Sequence, residues 1–324
     1  MSTKKDVLAV LEKHRSKYIS GQELADMLGI SRTSVWKAVK TLEKDGYDIS
    51  AAPNKGYRLS DDSDVLSQEG ILSALSGAVK PPVIRILKTV DSTNNYAKKL
   101  ALEGTPHGTL ILAEEQIAGR GRYGKSFFSP RGTGLYMSII LRPEINTENV
   151  QMITIAAAVD VCMAVEDLMG LAPQIKWVND IYLGGKKVCG ILSEAEADLE
   201  SGSIDYIIVG IGINCTTDGD EYPQELRGTA GSLGKTGVSR NELAAHIYRG
   251  IMRDFPRLAE KGLIEEYRAR SMMSGKNIGF IYNGESRRAV VLDITDSGNL
   301  LVRCENGEEL TLQGGDVSIG SNFC

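Results

Sequence analysis

The sequence predicts an α+β protein in three parts: a winged helix-turn-helix over 1–63, a central mixed sheet with helices over 64–272, and a small SH3-like β-barrel over 273–324. Three observations carry this. The opening residues run helix, helix, Gly turn, helix, hairpin. The middle alternates short apolar strands with helices, one of them long and apolar. The end is a series of hairpins punctuated by Asn-Gly and Ser-Gly turns.

In the head, Val7, Leu8, Val10 and Leu11 recur at helical spacing over 6–14. Ser20-Gly21-Gln22-Glu23 is a capping box that opens a second helix with Leu24, Met27 and Leu28 inward. Gly29 stops that helix, Ile30 plugs the turn, and Ser31 caps a third helix ending near Asp45-Gly46. A hairpin over 49–59 turns at Pro53-Asn54-Lys55-Gly56. With Val35, Val39 and Leu42 facing the core, Arg32, Thr33, Ser34, Lys37 and Lys40 are left where a recognition helix meets base edges. Lys55 and Arg58 on the wing can reach phosphates. Residues 1–60 hold eleven Lys/Arg against seven Asp/Glu, +4 on a chain of net −5, so the rest carries −9. A basic head on an acidic body points to nucleic acid at one end only. The competing reading is a small helical domain that binds protein, or nothing; the tight turn, the wing and the charge favour DNA. Trp36 either packs under the wing or faces the DNA, and the sequence leaves both open.

The central part begins with a strand over 83–90, then Asp91-Ser92-Thr93-Asn94-Asn95 and a helix over 96–102. A hydroxyl-rich strand-to-helix turn is ordinarily an N-cap, yet three adjacent hydrogen-bonding side chains also suit a ureido or amide headgroup. A strand over 109–114 leads to Gly119-Arg120-Gly121-Arg122-Tyr123-Gly124-Lys125-Ser126. Its letters fit both the dinucleotide fingerprint and the P-loop. Both motifs must open a helix, and Pro130, Gly132 and Gly134 forbid one here. What remains is a mobile clamp between strands, with two arginines and a lysine suited to phosphate or carboxylate. After a strand over 135–141, the helix over 150–170 is interrupted by Asp160, Glu166 and Asp167, so it is a buried helix and not a membrane span.

Next comes Lys176-Trp177-Val178-Asn179-Asp180, where Asn179 and Asp180 suit a hard cation that shares its ligands with a nucleotide. A type I′ turn at Gly184-Gly185 returns through Lys186 and Lys187, which strand alternation puts on opposite faces, so at most one enters a site on the sheet. In Val209-Gly210-Ile211-Gly212-Ile213-Asn214 the missing side chains let something lie against the sheet. Ser239 and Glu242 form a second capping box, opening a structural helix to about Ala259. In the last part, strands are expected over 278–282, 288–294, 300–304 and 309–312. Five cysteines without a CxxC pair and no secretory leader suggest reduced thiols in a cytoplasm.

Asp91-Ser92-Thr93-Asn94, the Gly-Arg-Gly-Arg-x-Gly segment, Lys176-Trp177-x-Asn179-Asp180, Lys187-x-x-Gly190-Ile191-Leu192 and Gly210-Ile211-Gly212-Ile213-Asn214 stand in the order and spacing of biotin–protein ligases. With the winged helix in front, essentially the whole chain resembles the bifunctional ligase/repressor members of that family, whose central fold is class II synthetase-like. The resemblance implies that Ser92, Thr93, Asn94 and Gln116 hold the biotin headgroup beside Gly190. Gly119, Arg120, Gly121 and Arg122 would close over the biotin carboxylate and ATP phosphates, with Lys125 and Lys176 on phosphate. Lys187 would stabilise charge at the reacting centre, Asn179 and Asp180 would help place Mg²⁺, and Asn214 would lie near the adenylate.

Biotin and ATP would give biotinyl-5′-AMP and pyrophosphate, and a lysine of biotin carboxyl carrier protein would then take the biotin. No enzyme nucleophile is required, and His107, in a Pro/Gly turn, is given no role. The resemblance also implies operator DNA as partner and a homodimer formed on the adenylate through sheet edges. Phe127 stands where some members carry Trp, and Ala230 where some offer an aromatic to adenine, so no residue here is assigned to that base. Two other readings are a lipoate-type acyl ligase and a ligand-sensing repressor without catalysis. The Gly-Arg-Gly-Arg segment and the DNA-binding head weigh against the first, and the retained Lys187, Arg120 and Arg122 against the second.

Overall fold

The computed structural model describes residues 2–75, 80–143, 150–197, 204–258 and 260–319. In the head, α1 (Thr3–Lys13), α2 (Gly21–Leu28) and α3 (Arg32–Lys44) precede the hairpin β1 (Ile49–Ala52) and β2 (Gly56–Leu59). Helix α1 starts three residues before the apolar periodicity does, because its polar first turn is solvated. The Ser20/Glu23 capping box forms as expected, and Gly29 closes α2 in the left-handed region at φ 63°. Leu24 and Ala25 fill the inner face of α2, whereas Met27, expected inside, is 55% exposed. The short helix turns only a narrow stripe inward, and Ala25 takes the place assigned to Met27. Val7, Leu11, Leu24, Val35, Val39, Leu42 and Leu59 form a core of their own.

The linker leads to α4 (Gln68–Ala74), and the central sheet runs β3-β4-β5-β9-β8-β7-β6. Its strands are β3 (Ile84–Leu87), β4 (Thr109–Ala113), β5 (Gly134–Leu141), β6 (Gln174–Lys176), β7 (Asp180–Leu183), β8 (Lys186–Ala197) and β9 (Ile204–Asn214). Among the described residues only the β3–β4 ladder of this sheet is parallel and the others are antiparallel, so the sheet is mixed as predicted. Strand β3 is shorter than its apolar run, and α5 (Thr93–Leu102) begins at Thr93 and not at Tyr96. Helix α6 (Val150–Met169) is buried on nearly every face, which explains its nearly continuous apolar sequence. It packs on the sheet with α7 (Arg240–Asp254) and α8 (Lys261–Arg270). Helix α7 stops at Asp254 and passes into a 3₁₀ turn, Phe255–Arg257; its expected end, Ala259, lies outside the described residues. Gly184 and Gly185 both hold positive φ, 57° and 78°, as a type I′ turn needs. No described helix is long and apolar enough to cross a membrane.

The C-terminal part is an antiparallel sheet ordered β13-β12-β11-β10-β14, built from β10 (Asn277–Tyr282), β11 (Glu285–Ile294), β12 (Leu300–Cys304), β13 (Glu309–Leu312) and β14 (Val317–Ile319). It has the strand set of an SH3-like barrel, but no ladder joins β13 to β14 among the described residues. Strand β14 escaped the sequence reading because three residues after Gly314-Gly315 carry no alternation long enough to register. Its apolar face is continuous with the core of the central part. Trp177 Nε1 and Gln151 Nε2 both donate to the Gly298 carbonyl, at 2.9 and 2.7 Å, which pins this sheet against the end of β6.

Candidate active site and DNA-facing surface

The site is floored by β8 and β9, where Gly190 pairs with Gly212 and Leu192 with Gly210. Missing side chains are used here. A Cβ on Gly212 would stand 2.6 Å from the Phe127 ring, and one on Gly210 would collide with the Asn94 carboxamide. Along β8, Asn94 therefore sits over Leu192, the Phe127 ring over Gly190, and the Lys187 ammonium beside Gly190. About 20 Å³ of free space remains beneath Phe127.

Ser92, Thr93 and Asn94 are buried at 2, 4 and 4% exposure, and Ser92 makes no side-chain cap bond to α5. The capping explanation for this run therefore fails. Thr93 donates from its amide and hydroxyl to Gln116 Oε1, at 2.8 and 3.1 Å, and Gln116 Nε2 donates to Ser129 Oγ at 2.9 Å. Asn94 Nδ2 donates to the Leu192 carbonyl (3.2 Å) and Glu194 Oε2 (2.8 Å). Ser138 Oγ lies 2.8 Å from Thr93 Oγ1 and 2.7 Å from Asn94 Oδ1. A buried network of this kind holds its amides and hydroxyls in one orientation. The sequence reading missed Ser138 and Glu194. Ser138 had a signal, being the sole small hydroxyl in the apolar strand β5; Glu194, in a polar stretch of β8, had none.

The segment between β4 and β5 closes on itself. Gly121 N donates to the Lys125 carbonyl (2.7 Å) and Phe127 N to the Gly119 carbonyl (2.9 Å), around a 3₁₀ turn, Arg122–Gly124. Tyr123 and Gly124 both have positive φ there, and no α-helix follows, so the helix-opening phosphate motifs are absent. The clamp, expected to be mobile, has each cation held by a protein acceptor. Arg120 meets Asn95 Oδ1 at 2.9 Å and Glu194 Oε1 at 3.0 Å, Arg122 meets Asn179 Oδ1 at 3.0 Å, and Lys125 pairs with Asp316 of the C-terminal sheet. Gly119 has no room for a Cβ, which would strike the Phe127 carbonyl.

Lys187 Nζ lies 2.7 Å from Asp180 Oδ1, while Lys186 is exposed, the split that alternation required. Burial pulls the Lys176 ammonium below its usual range, against the opposing pull of Asp180 and Asp316. Burial alone would raise the Asp316 carboxyl, but Lys125, Lys176 and Arg122 together hold it below the ordinary value. Asn179 Oδ1 accepts from Arg122 and its Nδ2 donates to the Ile191 carbonyl at 2.8 Å. Of the pair expected to hold a cation, Asn179 is thus engaged, and Asp180 offers a carboxylate oxygen that has an ion-pair contact but no aligned hydrogen bond. No described group of three His, Cys, Asp or Glu could hold a metal without further ligands. Asn214 Nδ2 and the Tyr222 hydroxyl both donate to the Gly231 carbonyl at 2.9 Å, and residues 229–231 lie along the start of β8. A neighbouring cavity of about 390 Å³ is reached past Arg122, Asn179 and Thr154.

Two larger hollows, about 760 and 850 Å³, lie away from this site. The first separates the head from the sheet; the second is a groove between α3 and the wing. Arg32 and Thr33 line that groove, Lys37, Lys40 and Lys55 are exposed on α3 and the wing, and Ser34 turns its hydroxyl to Ser31 Oγ at 2.9 Å. Lys40 is shared with Glu43 at 2.7 Å. Arg58, expected to reach outward, lies half-buried over the Tyr18 ring at 5.1 Å. Trp36 is 51% exposed and lines the groove, so it is not buried beneath the wing.

Three family models match: the biotin/lipoate A/B protein ligase family over residues 86–214, an HTH domain over 3–58, and the biotin protein ligase C-terminal domain over 273–320. The chain is 38% identical over 244 residues to the bifunctional ligase/repressor BirA of Bacillus subtilis, covering 75% of this chain and 74% of that one. It is 28% identical over 310 residues to the Escherichia coli protein of the same name, covering 94% of each. Its structure resembles that of the Aquifex aeolicus biotin protein ligase in complex with biotin and ATP, with TM-score 0.62 and 28% identity over 73% of this chain and 98% of that one.

Proposed function

This chain belongs to the bifunctional biotin protein ligase/repressor family, and from that membership we propose how its residues carry the activity. It is an ATP-dependent biotin–protein ligase and a DNA-binding repressor of biotin genes. Its working units are the head, 1–63, the biotin- and ATP-binding part, 64–272, and the C-terminal part, 273–324.

The observation that carries the assignment is the order of groups along β8: an amide reader at Leu192, an aromatic lid at Gly190, and a lysine directly beyond it. A ureido ring needs fixed donors and acceptors, which Ser92, Thr93, Asn94 and Gln116 supply. The valeryl chain then runs under Phe127 across Gly190, bringing the carboxylate to Lys187. That carboxylate attacks the α-phosphorus of ATP, and pyrophosphate leaves. Lys187, Arg120 and Arg122 neutralise the charge that develops, and Lys125 and Lys176 hold the leaving phosphates. Gly119 and Gly121 let the clamp backbone pass close to the ligand, and Asn214 lies along the adenylate. The cavity beyond Arg122 has room for the nucleoside. The carrier lysine amine attacks the mixed anhydride, biotin is joined through an amide, and AMP leaves. The closed clamp keeps water from the anhydride.

ATP brings most of a magnesium ion's ligands itself, and Asp180, whose Oδ1 is buried against Lys187 without an aligned hydrogen bond, would add a protein carboxylate. When bound, the ion neutralises phosphate charge. The acceptor is biotin carboxyl carrier protein, the DNA partner is operator DNA at Arg32, Thr33, Ser34, Lys37, Lys40 and Lys55, and the adenylate favours a homodimer that spans a two-fold site. The free, buried cysteines 162, 189, 215 and 304 suit a reducing cytoplasm.

The test is incubation with labelled biotin or lipoate, ATP and a biotin carboxyl carrier domain. Biotinyl-AMP and a labelled carrier lysine are expected with biotin alone. An adenylate formed from lipoate would make this an acyl ligase of the other branch, and binding without an adenylate would leave only a sensor.

A further inference from the structure

Arg240, the first residue of α7, is 4% exposed. Its backbone amide donates to Asp64 Oδ1 at 2.7 Å. Its guanidinium donates to Asp64 Oδ2 (2.9 Å), the Asp64 carbonyl (2.7 Å), Glu114 Oε2 (2.8 Å) and the Gly134 carbonyl (3.1 Å). Asp64 lies in the linker between β2 and α4. Glu114 directly follows β4 and Gly134 opens β5, so these two residues bound the clamp segment. One buried guanidinium therefore grips both ends of the clamp and the linker to the DNA-binding head.

The linker is tied on both sides. Glu114 Oε1 accepts from Leu66 N at 3.2 Å, and Asn241 accepts from Ser67 N at 3.0 Å. On the head side, Arg15 at the end of α1 donates to the Ser63 carbonyl at 3.0 Å, and Ser63 Oγ accepts from Asp48 N at 3.1 Å. Hydrogen bonds and the peptide link between Ser63 and Asp64 thus connect Arg15, just beyond α1, to Arg240 and both ends of the clamp. Ser239 caps α7 at the Glu242 amide, and of the Arg240 contacts only the amide bond to Asp64 serves that helix end.

We propose that Arg240 is a positioning residue that couples the state of the clamp to the DNA-binding head through Asp64. A clamp drawn down on the adenylate shifts Glu114 and Gly134, and the guanidinium transmits that shift to the linker, which sets how the head is presented to DNA. The proposal rests on the ligase/repressor reading above.

The experiment uses the full chain and a duplex selected from a random pool by the liganded protein. Operator affinity is measured with and without biotin plus ATP, beside carrier labelling. In Asp64→Ala the labelling rate is expected to stay within about twofold, while the gain in operator affinity on adding ligand falls at least tenfold. Arg240→Lys, which cannot serve all four acceptors, is expected to lose the same gain. Amide exchange in the unaltered chain is an independent reading: Leu66 and Ser67 are expected to slow at least tenfold on adding biotin and ATP. A folded Asp64→Ala protein with full ligand gain, an equal loss with and without ligand, or unchanged exchange at Leu66 and Ser67 would each overturn the coupling. If the unaltered chain shows no ligand gain at all, the repressor reading fails, and the coupling falls with it.

Discussion

Lys187 Nζ rests 2.7 Å from Asp180 Oδ1, across the ladder in which Asp180 pairs with Gly190. The contact holds the ammonium beside Gly190, where a carboxylate and a phosphate would meet. The lysine is 35% exposed, so the pair adds little to stability and its value lies in position.

Lys187→Met is therefore expected to lower adenylation by about 10²–10³-fold, the usual cost of removing one preorganised donor to developing charge. Biotin binding should be nearly unchanged. Single-turnover formation of biotinyl-AMP and a biotin titration check the two halves; a variant with unaltered adenylation would exclude Lys187 from the reaction.

Gly210→Ala pushes a methyl into Asn94. The reader network loses its alignment, and the KM for biotin should rise about tenfold or more, since about 1.4 kcal/mol of binding is tenfold. Glu194 orients Asn94 from the other side and holds Arg120. Glu194→Ala leaves the Asn94 amide short of a partner, at a cost of about 1–3 kcal/mol in biotin binding. Steady-state KM values for biotin and for ATP separate these effects from damage to the nucleotide end.

Asp160, 2% exposed between α6 and α7, has no hydrogen-bond partner at Oδ2. Burial, then the nearby Asp254, push its carboxyl well above the ordinary range, against Arg253. The folded state therefore keeps a proton that the unfolded chain has lost. Its stabilising contribution is full below the unfolded carboxylate range and is lost as pH rises through the raised value. Asp160→Asn should raise Tm near pH 8 by about 2 °C or more and flatten the fall in Tm above pH 4–5, measured by thermal scans across pH.

Trp36 lines the groove between α3 and the wing, beside Arg32 and Thr33. Trp36→Ala should weaken the selected duplex by about 1–3 kcal/mol and leave nonspecific binding at low salt intact, because the loss is of apolar base contact. Lys55→Ala, on the wing, should instead weaken every sequence alike and reduce the salt slope by about 1. Anisotropy titrations at several salt concentrations distinguish the two.

Much of the architecture was legible because it is written locally. The capping boxes at Ser20 and Ser239, the left-handed Gly29 and the positive-φ pair Gly184-Gly185 each act within a few residues of themselves. Where prediction slipped, competition was local too: Ala25 outranked Met27 on a narrow helix face, and β14 was too short for its period to be counted.

By itself the sequence determined the types and order of the chemical groups: the hydroxyl-amide turn, the clamp, Lys187 and the glycine floor. It also determined which face of each element they share, because side-chain direction follows from helical and strand periodicity. Only the tertiary structure decided their partners. Arg120 finds Glu194 across 74 positions, Arg240 finds Asp64 across 176, and Lys125 meets Asp316 across 191. Periodicity tells a side chain which way to point, but ladder register and the docking of helices on the sheet decide what stands opposite, and those are properties of the whole packed chain.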